Sequence, residues 1–202
     1  MSLRRIRKLL AVSDVESPYI WDYFDPDVFG GVDMILSCGD LSGEYLDYLV
    51  TMIPAPLFFV PGNHDKRFLE SPPDGCTSLD GRALTYRGVR LAGLGGCKSG
   101  RQSAYEYSEK GMSRRVDVLS RQIRRQGRLD IFLSHVSARG WGDSEDTYHR
   151  GFQCFTGFLD EFKPRYHFFG HTHMAYGRHA IPKAYGSTRL VNACGYRLIE
   201  YG

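Results

Sequence analysis

An α/β sandwich in one domain is what this sequence predicts, and three observations predict it. Short apolar runs recur along the chain, each closing on a polar or glycine-rich turn, which is the pattern of buried strands. Helical patterns lie between several of those runs, and the last stretch turns mostly to alternating β character. The chain is 202 residues long, without internal repeat or low-complexity tract, and suits a single domain over residues 1–202.

The elements follow in order. Lys8–Ser13 and Asp33–Ser37 read as strands, then Gly43–Met52 as a helix with Tyr45, Leu46, Leu49 and Val50 at helical spacing. Leu57–Val60 and Arg90–Leu94 are the next strands. Ser113–Gln126 opens on a Ser cap and lines up Val116, Leu119 and Ile123 on one face. Its other face, with Arg114, Arg121, Arg124 and Arg125, reads as solvated. Asp130–Ser134 is a strand. Thr147–Phe162 is a helix whose stripe is Phe152, Phe155, Leu159 and Phe162, with Pro164 just past its end. Tyr166–Phe169 is another strand, and Arg178–Tyr201, with Gly186 and Gly195, reads as antiparallel strands and hairpins.

Composition removes several classes. A 42% hydrophobic, 24% charged chain is neither disordered nor a disulfide scaffold. A net charge of +3 falls far short of a dedicated nucleic-acid binder. Cys38, Cys76, Cys97, Cys154 and Cys194 are scattered and form no C-x-x-C pair, which argues for a reduced compartment and against a zinc ribbon. The apolar stretch Leu9–Val12 is shorter than the roughly 7–15 residues of a secretory core. No window reaches the ~18 apolar residues of a membrane span. A cytoplasmic protein without membrane association is expected.

The chemistry lies where the apolar runs end. The first closes on Asp14-Val15-Glu16, the second on Gly39-Asp40, and the third on Gly62-Asn63-His64-Asp65. Later runs close on His135 and on Gly170-His171-Thr172-His173. In an open α/β sheet the C-terminal strand ends converge on the ligand crevice, so five strands would deliver oxygen or imidazole donors to one place. His171 and His173, two apart in an extended segment, can face the same way. His149, His167 and His179 are not at strand ends and read as structural or solvent-facing.

This ordered set resembles the calcineurin-like metallophosphoesterases, marked by D-x-H, G-D, G-N-H-[DE], a lone His and G-H-x-H. The match runs from Asp14 to His173. The resemblance implies a four-layer αββα sandwich, two mixed β-sheets flanked by helices. It also implies two divalent ions, with Mn best suited and Fe, Zn, Ni or Mg as alternatives. Asp14, Glu16, Asp40 and His173 would hold the first ion. Asp40, Asn63, His135 and His171 would hold the second, with Asp40 bridging. Glu16 stands where the family has His; it would ligate directly or through water, or else mark a degenerate site in a non-catalytic scaffold.

The implied reaction is hydrolysis of a small-molecule phosphoester by a hydroxide shared between ions roughly 3.5–4 Å apart. His64, not a ligand, would stand beside the leaving oxygen, and Asp65 would steady its ring. A protein phosphatase is disfavoured because Gly39-Asp40 is followed by Leu41-Ser42-Gly43-Glu44 rather than V-D-R-G. The small phosphodiesterase branch remains. Tyr19, Trp21 and Tyr23 are placed to stack on a leaving group, and Arg139 or Arg150, with Arg67 behind them, to pair with phosphate.

Overall fold

Two mixed sheets stack face to face with helices on both outer faces, and this order of layers puts every parallel strand's C-terminal end on one side of the molecule. The computed structural model describes residues 5–100, 103–144, 146, 149–173 and 183–202. Its first half contains β1 (Lys8–Ser13), the short helices α1 (Pro18–Trp21) and α2 (Pro26–Phe29), β2 (Met34–Ser37), α3 (Gly43–Met52), β3 (Leu57–Phe59), β4 (Cys76–Ser78), β5 (Arg82–Tyr86) and β6 (Val89–Leu94). After a small β7–β8 pair (Cys97–Lys98, Glu106–Tyr107) come α4 (Glu109–Gln126), β9 (Ile131–Ser134), α5 (Gln153–Phe162), β10 (Tyr166–Phe169), β11 (Ala184–Tyr185), β12 (Thr188–Asn192) and β13 (Gly195–Glu200).

One sheet runs β13-β1-β2-β3-β4, the other β11-β12-β10-β9-β6-β5. Period-two alternation within apolar strands explains the layering. Leu9 and Ala11 of β1 join Met34, Leu36, Leu91, Ile131, Leu133 and Phe168 between the sheets. Leu10 and Val12 face the other way, onto α3 with Tyr45, Leu46 and Leu49. Phe132 faces α4 and α5, where it meets Phe155 edge-on at 5.2 Å. A strand buried on both faces must be apolar throughout, and each fully buried large side chain contributes about 1.5–3 kcal/mol.

Three expectations are corrected. The helix read from Ser113 begins at Glu109, because Ser108 caps it by accepting from Gly111 N–H at 3.1 Å. The helix read from Thr147 begins at Gln153, with Phe152 still extended at ψ 131°. Its Cys154 N–H is met from outside by Glu109 Oε1 at 2.9 Å, a partner invisible in the local sequence; Thr147 lies outside the described residues. Among the described residues the tail forms one hairpin, β11–β12; Arg178 with His179 lies outside them. β12 then pairs parallel to β10, while β13 crosses to the other sheet and runs antiparallel to β1.

Candidate metal centre

Asp14, Asp40, Asn63, His135 and His171 all follow the C-terminal ends of strands, as the run-ending pattern predicted. Asp14, Asp40 and His171 adopt left-handed backbone conformations, with φ of 63°, 57° and 63°. Asp and His tolerate that region better than most residues, yet it still costs on the order of 1 kcal/mol each, and such strain gathers at functional sites. The turn it creates swings each side chain back over its strand end. The loops are locked to one another by Asp14 N–H to Gly39 O at 3.1 Å and Gly170 N–H to His135 O at 2.8 Å. Two glycines permit the approach: a Cβ on Gly62 would overlap Asp40 Oδ1, and one on Gly170 would overlap Asp14 Oδ2 and Ser13 Oγ.

At the centre stand Asp40, His135 and His171, with one donor atom from each within 4.8 Å of the others. His135 is fully buried, and its Nδ1–H donates to Cys38 O at 2.8 Å. That bond leaves Nε2 as the lone-pair atom of the neutral ring. Nε2 faces Asp40 Oδ2 at 3.3 Å, Asn63 Oδ1 at 3.2 Å and His171 Nδ1 at 3.1 Å. Acceptor atoms that converge in a buried place favour a proton or a cation among them. Burial opposes a proton on His135, but the Asp40 carboxylate, then the Asp14 charge, outweigh it and lift the ring to about 9. For Asp40, burial pushes upward and the His135 contact more than reverses it, leaving the carboxyl below its usual range. Mixed imidazole and oxygen donors around one point suit a transition-metal or Mn cation, which would take the place of that proton.

The other predicted donors are less gathered. The Asp14 side chain is buried, and both its oxygens accept from His171 N–H, at 3.0 and 2.9 Å. His173 Nε2 lies 3.7 Å from Asp14 Oδ1, on a side chain that is 63% exposed. Glu16 does not point into the cluster. Its Oε1 accepts from Ser42 N–H at 3.1 Å, just before α3.

His64 borders the cluster with an 80% exposed side chain, its Nε2 3.9 Å from Asp40 Oδ2. Asp65 does not steady that ring. Its Oδ2 accepts from Asp40 N–H at 2.8 Å and Gly62 N–H at 2.7 Å, stitching two ligand loops together. Burial outweighs those hydrogen bonds and raises its carboxyl to about 6.

The expected substrate residues divide. Tyr19 stacks on Tyr196 at 6.1 Å, and Trp21 packs on Tyr45 and Tyr48 at 5.3 and 4.9 Å, so both rings cover the sheet edge with a face partly exposed. Arg139 Nη1 donates to Asp143 at 2.7 Å. The same carboxylate takes Gly140 N–H and Gly151 N–H at 2.7 and 3.0 Å, closing the loop at its neck. Arg150 lies at that neck beside Gly151, half-buried. Arg67 lines a cleft of about 660 Å³ that starts at Asp40 and His64.

Two further histidines lie near the site. The His149 ring lies 5.1 Å from the His171 ring, with Nδ1 held by Asp146 at 2.9 Å; the spacing Asp-x-x-His was its only signal. His167 is wholly buried behind the site, Nε2 2.7 Å from Ser134 Oγ. Since Ser134 gives its hydrogen to Val136 O at 2.6 Å, His167 Nε2–H must be the donor.

Comparison with known proteins identifies the family and the fold. The family model described as calcineurin-like phosphoesterase matches residues 5–175. The solved structure of TT1561 of Thermus thermophilus is similar at a TM-score of 0.66 and 16% identity, over 97% of this chain and 95% of that one. Phosphopantetheinyl hydrolase (PptH) of Mycobacterium tuberculosis is similar at 0.55 and 14% identity, over 94% and 89%. Among curated proteins none matches the sequence.

Proposed function

The chain belongs to the calcineurin-like phosphoesterase family, and from that premise we propose a two-metal hydrolase of small-molecule phosphoesters, diesters in preference to monoesters. The observation that carries this reading is the convergence of Asp40, Asn63 and His171 on the buried His135 Nε2. Asp40, Asn63, His135 and His171 would hold one ion; Asp14, Asp40 and His173, with Glu16 alongside, the other. Divalent ions bound there supply Lewis-acid activation of water and of a phosphoryl oxygen.

The chain's own groups do the rest. His64 projects from the cluster into open space, where its ring reaches a departing oxygen and gives it a proton. The leaving group enters the cleft lined by Ser42, His64, Arg67 and Phe68. Arg67, not the loop-bound Arg139, is the guanidinium that meets phosphate there. Among the described residues no helix is long and apolar enough to cross a membrane, and the five free cysteines fit a reducing cytoplasm.

The Glu16–Ser42 hydrogen bond favours a second reading, a scaffold with a degenerate first site. Metal analysis after Mn loading, with parallel assays on bis(4-nitrophenyl) phosphate and 4-nitrophenyl phosphate, separates the two. The hydrolase carries close to two metal equivalents and turns over the diester faster. A metal-free, inactive protein after Mn loading refutes it.

A further inference from the structure

At the opposite pole, where the parallel strands begin, a cleft of about 810 Å³ opens and is lined by Arg5, Arg7, Arg87, Arg128 and Arg165. Folding brings these five together from the start of β1, the β5–β6 turn and the entries to β9 and β10. Two of them are balanced locally. Arg87 Nη1 lies 3.8 Å from Asp33 Oδ1, and Arg128 Nε lies 3.5 Å from Asp130 Oδ1. Those carboxylates also pin strand entries, accepting from Arg7 N–H at 2.8 Å and Arg90 N–H at 2.9 Å.

Arg5, Arg7 and Arg165 have no carboxylate within ion-pair distance among the described residues, although Glu200 also lines the cleft. Arg165 is held flat by aromatic faces, its guanidinium carbon 5.1 Å from the Tyr201 ring centre and 5.6 Å from that of Tyr166. A stacked guanidinium has already lost much of its freedom, while its N–H edge stays available for a bidentate anion.

We propose that this cleft binds an oligophosphate anion, two or three linked phosphoryl groups, at a site separate from the metal centre. The five guanidiniums outnumber the carboxylates that line the cleft, Asp130 and Glu200, so the cleft favours an anion with several negative charges. The volume falls within the roughly 300–1,000 Å³ of small-molecule sites, more than a single phosphate fills. No ring is open to take a base: Tyr166 is buried and Arg165 covers Tyr201. The phosphate chain itself is therefore what is recognised, whether as an inorganic polyphosphate or as the tail of a nucleotide.

Calorimetric titration of the Mn-loaded full chain with inorganic tripolyphosphate, ATP and a single-stranded oligonucleotide tests this. One tripolyphosphate binds per chain, more weakly as salt is raised. Arg7→Glu with Arg165→Glu weakens it about tenfold or more through loss of charge-assisted bonds, while metal content and diester hydrolysis stay as in the parent. The neutral Arg165→Gln weakens it less and serves where the double reversal alters the melting temperature. ATP binding equal to or weaker than tripolyphosphate makes the phosphate chain the ligand and supports the site; tighter ATP binding shows that the nucleoside is recognised and overturns it. Binding that is absent, or unchanged by the charge reversals, overturns it, as does a preference for the oligonucleotide over tripolyphosphate.

Discussion

Asp40, His135 and His171 stand within reach of one ion on loops clamped by backbone hydrogen bonds, whereas Asp14, Glu16 and His173 share the same pole without closing on a common point. The first group is carried by β2, β9 and β10, and its imidazole at His135 is buried and oriented by Cys38 O. In the second group only the Asp14 side chain is buried; His173 extends into solvent and Glu16 accepts from the Ser42 backbone N–H. The contrast teaches that strand ends preform half of such a centre, while the other half depends on side chains whose positions the cation itself would complete.

Asp40→Ala breaks the comparison most severely, because on the proposed reading this carboxylate would serve both ions. Metal analysis is expected to show both ions lost and hydrolysis at background; retention of one equivalent refutes the shared role. His64→Gln comes next, with turnover down about 10²–10⁴-fold and metal content unchanged. Loss of metal there would make His64 a ligand. Gly62→Ala presses a methyl group onto Asp40 Oδ1, so metal affinity is expected to fall about 10–100-fold, as for other changes that displace a ligand from behind. Parent-like affinity would show that the loop has room to move.

Glu16→Gln sharpens the distinction between halves, since the amide oxygen can still accept from Ser42 N–H while the charge is gone. Titration is expected to show one ion bound about tenfold more weakly, as for loss of a supporting carboxylate, and the other unchanged. No change at either would leave Glu16 with only its hydrogen bond from Ser42 N–H. The smallest effect concerns stability. Burial depresses His167 to about 3, so the unfolded chain takes up a proton below the usual histidine range while the folded chain does not. Stability from this group is complete above about 6.5 and declines as pH falls toward the folded value. His167→Leu is therefore expected to lose less stability between pH 7 and 4 than the parent; equal slopes in denaturant titrations would contradict that.

Much of the site was legible because ligand chemistry here coincides with strand boundaries. Apolar runs that stop at Gly-Asp or Gly-Asn-His disclose both the strand and the group it delivers, and Tyr166–Phe169 and Gly43–Met52 form as read. Asp65 misled because adjacency along the chain says nothing about which backbone N–H lies nearby after folding. Asp65 meets Asp40 N–H across 25 positions. Glu109, which satisfies the start of α5, comes from 45 positions away.

The sequence by itself determined the buried strands β1, β2, β3, β6, β9 and β10, the helix α3, and which donor-bearing residues follow the strand ends, since apolar periodicity and side-chain chemistry are local properties. Tertiary structure alone decided that β13 leaves its neighbour to pair with β1, that Glu16 turns toward Ser42, and that five distant arginines share one cleft. Those outcomes depend on distances between segments remote in the chain, set by how the two sheets pack.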